Sequence, residues 1–584
     1  MDPEVITYFG ETDSRDKRVK FGIKAKDRTK HVYVIGKTGM GKSTMLENMA
    51  IQDLRNGEGM AFIDPHGKTA ELLLDFVPAE RLKDVVYFAP FDIEHPISFN
   101  VMEDVGPDKR HLVVSGLMSA FKKLFGEESF SDRMQYILQN TILALLEYPG
   151  ATMLGINRML TDKAYRSKVV ANITDVSVKN YWTQEFAGYT ERFAAEAIPA
   201  IQNKIGQFTS NPLIRNIIGQ PKSSFDFRTI MDEAKIMVIN LSKGRVGEAN
   251  ANLLGSMLIT KIYLAAMSRA DIHEKQLKKL PNFYLYVDEF QSFANESFAN
   301  ILSEARKYKL NLTIAHQYIE QMSEEVRAAV FGNVGTMITF RVGAYDAEVL
   351  EKEFAPQFTA EDLVNLGMFQ MYLKLMIDGV SSAPFSASSL PPFEEPAISY
   401  KSEIIKNSRA KFTIPRSEVE STINKWHEEG KLAPKPSQPS QRPVYAENRA
   451  MSPKAQAPVV KQQPKPEVKI EYKKPEVIKN EVETGDDFLP IKEFAKKVAI
   501  EPKPEEKRPE TPKDAKTDSK VLNHPHTKIM SKENLTDLRS ALAAAMKNAS
   551  QPEKKEEVKK EETKHQSETK EVSEKDLKRV LGIE

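Results

Sequence analysis

The 584-residue sequence carries 83 Lys+Arg against 82 Asp+Glu, and it contains no cysteine. Without cysteine there is no disulfide scaffold, no thiol nucleophile and no thiolate metal site. At roughly 150 residues per domain, the length predicts about three or four units.

The opening segment, residues 1–30, shows no apolar stretch of the kind a secretory signal needs and reads as an entry segment. Short β-branched or aromatic runs follow: HVYVIG (31–36), GMAFIDPHG (59–67) and DVVYFAPFD (84–92). Four more come later: KIMVINLSKG (235–244), FYLYVDE (283–289), LNLTIAHQ (310–317) and GTMITFRVG (335–343). Near-continuous apolar strands alternating with helical patterns predict an α/β fold with a mostly parallel sheet covered on both faces. The spans 31–105 and 231–395 thus read as two parts of one domain.

Residues 106–230 interrupt this rhythm. Leu112, Leu117 and Phe121, then Tyr136, Leu138, Ile142 and Leu145, recur at helical spacing, so the span is predicted to be an all-helical insertion. The run LLGSMLITKIYLAAM (253–267) is 15 residues long with Lys261 inside it, short of the roughly 18–20 a membrane span requires. It is predicted to be a buried helix, in a chain that is soluble and cytoplasmic. Residues 396–431 read as one or two helices, with Pro415 at a helix start.

Beyond them the composition changes. Residues 427–584 hold 33 Lys+Arg, 29 Asp+Glu and 16 of the 33 prolines, but only four aromatics. So charged a stretch cannot bury enough apolar surface to offset its ordering entropy, and 432–584 is predicted to be a disordered tail. Two short amphipathic segments, 535–549 and 573–584, are its candidate docking helices.

Gly36-Lys37-Thr38-Gly39-Met40-Gly41-Lys42-Ser43 fits G-x-x-x-x-G-K-[ST]. Glycines let successive N–H groups curl around phosphate oxygens, Lys42 adds a point charge, and Ser43 offers a hydroxyl to magnesium. Thr44 opens the following helix, whose N-terminus adds its dipole. A chance match in a chain of this length has a probability of about 2%. This predicts a nucleotide-phosphate site. A P-loop needs an acidic partner, and FYLYVDE supplies Asp288 for the magnesium shell and Glu289 to polarise the attacking water. Gln317 ends another strand and either senses a γ-phosphate or satisfies loop backbone. Asp64 closes the second strand, and His66 reads as a turn residue. Arg306 falls on the flank of an apolar helix face formed by Phe298, Ile301, Leu302 and Ala305. It is either a solvated helix arginine or a finger toward a neighbouring subunit. Arg341 leaves the last strand and is a second candidate.

GKTGMGKST, FIDPHG, HPISFNVME, VINLSKG, YVDEFQSF, EARKYKLNLTIAHQ and TMITFRVG occur in this order. The ordered set resembles the conjugative coupling-protein branch of the FtsK/HerA superfamily, the TraG/TraD-like ATPases of type IV secretion, over roughly residues 20–395. The resemblance implies a RecA-like motor, a ring of six subunits, and magnesium-dependent ATP hydrolysis coupled to DNA movement through a channel. It implies that Lys42 and Ser43 are the phosphate-loop lysine and magnesium-side hydroxyl, Asp288 and Glu289 the acidic pair, Gln317 the neighbouring glutamine, and Arg306 the trans-acting finger. It also implies secretion-channel or relaxosome proteins as partners, met through the insertion or the tail. No N-terminal transmembrane helix of the kind found in membrane-anchored members is visible, so membrane docking is expected to run through partners. Residues 1–426 carry 50 Lys+Arg and 53 Asp+Glu, so DNA as cargo rests on the resemblance rather than on a basic footprint. Three rivals stand beside this reading: an ATPase for protein export or pilus assembly, a nucleotide-gated scaffold, and a HerA-like repair translocase.

Overall fold

The computed structural model describes residues 2–13 and 17–429. The tail reading and both of its amphipathic segments lie outside the described residues.

Among the described residues thirteen strands form in chain order: β1 (Ile6–Thr12), β2 (Lys20–Lys24), β3 (Val32–Ile35), β4 (Gly59–Asp64), β5 (Val85–Phe88), β6 (Ile236–Asn240) and β7 (Phe283–Val287). They continue with β8 (Leu310–His316), β9 (Thr336–Thr339), β10 (Gln370–Lys374), β11 (Met376–Ile377), β12 (Val380–Ser381) and β13 (Phe385–Ser389). Eleven of them make one sheet in the order β2-β1-β13-β10-β9-β3-β8-β7-β4-β6-β5. The stretch from β9 to β5 is parallel throughout. Its strands are those expected from the seven apolar runs, and β3, β4, β6, β7 and β8 are buried at every position. The fold is α/β with a mostly parallel sheet.

β10, β13, β1 and β2 extend this sheet antiparallel on the β9 side. These strands are not evident as apolar runs because only one face is buried. β2 and β10 alternate buried and exposed positions, and β13 reads Phe-Ser-Ala-Ser-Ser. Residues 1–30, expected only as an entry segment, therefore contribute two strands.

The sheet divides the core by side-chain parity. Tyr33, Ile35, Ile63, Leu285 and Val287 join the cluster shared with the helices between β5 and β6. Their neighbours Val32, Val34, Phe62, Tyr284 and Tyr286 join the opposite cluster, under the helix Lys42–Arg55.

Between β5 and β6 the chain is helical, from Arg110–Phe125 through Asp132–Leu146 to Phe227–Asp232. Tyr136 falls in the helix that its spacing predicts and is exposed, its hydroxyl donating to Glu185 at 3.0 Å and its ring in T-shaped contact with Tyr181. The helix Glu248–Met267 is apolar enough by composition to cross a membrane, yet most of it is buried inside the body. Helices Lys401–Phe412 and Arg416–Glu428 follow the sheet, the second starting directly after Pro415. Arg158 donates to the Trp426 carbonyl at 2.6 Å and stacks over the indole, tying the last helix to the insertion.

Under the Lys42–Arg55 helix lies a buried ion pair. Arg28 binds both Asp53 oxygens, at 2.7 and 2.9 Å, donates to Tyr286 and Thr7, and lies 3.6 Å over the Tyr284 ring. Breaking one side of such a pair leaves an uncompensated buried charge, at a cost of about 3–5 kcal/mol. Asp53→Ala is therefore expected to lower the denaturation midpoint strongly, whereas the pair Arg28→Met with Asp53→Leu recovers most of the loss. A urea titration showing an unchanged midpoint for Asp53→Ala would contradict this.

Candidate active site

The phosphate loop leaves β3 between its two parallel neighbours, with Ile35 level with His316 on β8 and with Thr339 on β9. Main-chain bonds hold it on both sides. Gly36 donates to the His316 carbonyl at 3.3 Å, and Lys37 donates to the Arg341 carbonyl at 2.8 Å. Gly36 must be glycine, since a Cβ there would sit 2.6 Å from Phe340 Cβ. Gly39 and Gly41 have φ of 78° and 117°, the left-handed region that lets the loop curl. Met40 is buried, Thr38 is exposed, and Thr44 lies half-buried in the first turn of the helix.

Lys42 is buried, and its ammonium donates to the loop's own carbonyls, Gly36 at 2.5 Å and Lys37 at 3.1 Å. Burial pulls its pKa down, opposed by the charges of Glu289 and Asp288.

Strand order brings the acids here. A single strand, β8, separates β3 from β7, so the carboxylates after β7 face the loop. Ser43 Oγ donates to Asp288 Oδ2 at 3.0 Å. Asp288 is buried, and its pKa is raised by desolvation first and by Glu289 second. A buried carboxylate that is costly to ionise, beside a hydroxyl, fits a divalent cation, whose charge would favour the anion. Among the described residues no group of three His, Asp or Glu side chains forms a metal site. The arrangement instead suits magnesium, which uses one or two protein ligands together with substrate phosphates.

Glu289 takes a left-handed backbone, φ 48° and ψ 47°, a strained conformation for a non-glycine residue. Its carboxylate accepts hydrogen bonds from Gln317 and Gln291, and His66 Nε2 lies 3.8 Å away. Burial pushes its pKa up, but the nearby His66 ring, hydrogen bonds from Gln291 and Gln317, and then the Lys42 charge outweigh this and hold it at about 2. Gln317 also accepts from the Thr38 hydroxyl at 3.0 Å. It bridges the loop to the glutamate rather than serving loop backbone.

The two arginines part company. Arg341 follows β9 beside the loop of its own chain. Arg306 is exposed in the 3-10 turn Ala305–Tyr308, ahead of β8. The helix before it ends at Glu304, so the helical spacing used to place Arg306 stops short of it. Gln317 follows the other end of β8, so the seven residues of that strand, roughly 23 Å, separate Arg306 from its own phosphate loop.

His66 and Gln291 went unrecognised in the sequence. His66 meets Glu289 because β4 pairs with β7, with Ile63 level with Val287, and the turns after both strands converge. Gln291 lies two residues past the glutamate. Asp64 is a turn and helix cap, accepting from His66 and Ala70 N–H at 2.7 and 2.8 Å.

Residues 4–341 match the family model for type IV secretory system conjugative DNA transfer. The chain belongs to this family. Among solved structures it is similar to the bacterial conjugative coupling protein TrwBdeltaN70, at 15% identity over 67% of this chain and 95% of that one, with a TM-score of 0.48. The plasmid coupling protein TrwB in complex with ADP and Mg2+ gives 15% identity, 67% and 96% coverage and a TM-score of 0.46. VirB4 of Thermoanaerobacter pseudethanolicus gives 14%, 69% and 99%, and 0.43. No curated protein sequence matches the chain.

The glycines give a direct check on the loop. Gly36→Ala is expected to lower the melting temperature more than Gly39→Ala. The first meets Phe340, whereas the second has open space and bears only a left-handed penalty of about 1–2 kcal/mol. Equal melting temperatures would contradict the close approach.

Proposed function

We propose that the chain is a magnesium-dependent ATPase that moves DNA as the coupling motor of a conjugative or related secretion system. The observation carrying this is the convergence of Lys42, Ser43, Asp288, Glu289 and Gln317 at the ends of three neighbouring parallel strands. Family membership supports DNA as the cargo, and the nucleotide-bound relative supports ADP and Mg2+ as ligands.

Loop N–H groups and Lys42 bind the phosphates, Lys42 exchanging its bonds to the Gly36 and Lys37 carbonyls for phosphate oxygens. Ser43 and Asp288 would hold magnesium, which when bound would supply charge neutralisation at the phosphates. Glu289, its carboxyl held below the usual carboxylate range, orients the attacking water and accepts its hydrogen bond. The Thr38–Gln317–Glu289 chain carries the state of the loop to that carboxylate. Arg306 lies too far to serve its own site, and we assign it to the neighbouring subunit's γ-phosphate in a ring of six. The ring works on the cytoplasmic side of the membrane, peripheral through partner proteins.

Steady-state hydrolysis with and without DNA tests this reading. Single- or double-stranded DNA is expected to stimulate turnover, Lys42→Ala to abolish nucleotide binding, and Glu289→Gln to bind ATP while turnover falls roughly 10²–10⁴-fold. The near-neutral body favours one rival, a protein-export motor, and hydrolysis indifferent to DNA would move the assignment there.

His66 adds a pH dependence. The Glu289 carboxylate, 3.8 Å from its Nε2, raises its pKa above the usual 6.5, so the protonated ring pairs with the carboxylate at low pH. That contact is fully present below 6.5 and is lost as pH rises through the raised value, freeing Glu289 for water. Turnover is expected to rise across that window, and His66→Gln to remove the rise. Superimposable pH profiles would refute the coupling.

A further inference from the structure

The strand order sets the direction in which a nucleotide lies. Its γ-phosphate end faces Ser43, Asp288, Glu289 and Gln317, all on the β8–β7 side of β3. The nucleoside end then extends toward the opposite side, where β9 and β10 lie. There the turn just before β10 leaves two large apolar side chains in solvent, Met368 at 60% and Phe369 at 44% exposure.

Phe369 is firmly held. Its N–H donates to the Met40 carbonyl at 3.2 Å, and its own carbonyl accepts from Ser389 N–H at 2.8 Å. Its φ of 64° is unfavourable for an aromatic residue and persists only where the surroundings impose it. The ring lies against Gly41, where an added Cβ would come within 2.9 Å of Phe369 Cδ1. In the same wall the Ser389 hydroxyl is buried without a hydrogen-bond partner. An exposed ring fixed by main-chain bonds at the mouth of a phosphate loop has the form of a stacking platform.

We infer that Phe369, with Met368 beside it, is the surface on which the nucleobase of the bound nucleoside triphosphate stacks. This rests on the reading of residues 36–44 as a nucleotide site, and it lies beyond the span matched to the family, which ends at residue 341. Because every base offers a π-face, the platform favours nucleosides in general and does not select between adenine and guanine.

The test is equilibrium binding of ATP, GTP and inorganic tripolyphosphate, each with Mg2+, to the full chain and to Phe369→Gly and Phe369→Trp. Glycine suits the positive φ, so the first variant removes the ring without straining the turn, and thermal melting checks its fold. Phe369→Gly is expected to weaken ATP and GTP roughly 5- to 100-fold while tripolyphosphate binds unchanged. Phe369→Trp keeps the affinity of the original chain. Equal weakening of ATP and tripolyphosphate would mean the ring merely shapes the loop at Gly41, and would overturn the inference. Unchanged ATP affinity with a smaller assembly would make the patch a subunit contact and overturn it too. If the original chain binds neither ATP nor tripolyphosphate, the nucleotide-site reading itself falls.

Discussion

The buried pair of Arg28 and Asp53 fixes how three distant segments meet. Arg28 follows the β1–β2 hairpin, Asp53 lies in the last turn of the helix that starts at the phosphate loop, and Tyr284 and Tyr286 belong to the acidic strand. A guanidinium and a carboxylate taken out of water are tolerable only when each satisfies the other. The hairpin, helix and strand are therefore held to one mutual arrangement. Tyr286 shares a strand face with Asp288, two residues on, so the same helix touches β7 through Ser43 at one end and Asp53 at the other.

The chemistry follows from that arrangement. A helix pinned at both ends cannot slide along the strand, so the Ser43–Asp288 separation stays at hydrogen-bond length. The strand between them, β8, delivers Gln317 into the gap. The result is a division of labour between adjacent carboxylates. Asp288 is buried and held reluctant to ionise, which suits a cation site, whereas hydrogen bonds from Gln291 and Gln317 hold the Glu289 carboxyl below the usual carboxylate range. The strained backbone of Glu289 turns two consecutive residues toward different tasks.

Much of this was legible in the sequence, for physical reasons. Strands buried on both faces must be apolar throughout, so β3, β4 and β7 stand out, and the loop spacing states its own chemistry. Half-buried strands such as β2 and β10 alternate, with Lys20 and Gln370 exposed and Lys24 and Lys374 half-buried, and do not stand out. Contacts that depend on strand order were beyond reach. His66 meets Glu289 only because β4 lies beside β7, and Phe369 meets Gly41 only because β10 enters the sheet beyond β9. Helical spacing put Tyr136 in its helix, but spacing alone does not separate a buried ring from one held at the surface by its hydroxyl.

Arg306 decides whether the site is complete within one chain. It stands ahead of β8, at the opposite end of that strand from its own phosphate loop, and is exposed. An arginine so placed is out of reach of its own phosphate loop, so the proposed role of Arg306 requires sites built from two subunits. The most direct measurement mixes Lys42→Ala with Arg306→Ala, each expected to be inactive alone, and follows ATP hydrolysis. The account predicts recovered turnover in the mixture, because some interfaces pair an intact loop with an intact arginine. No recovery in assemblies proven to contain both variants would contradict a shared site.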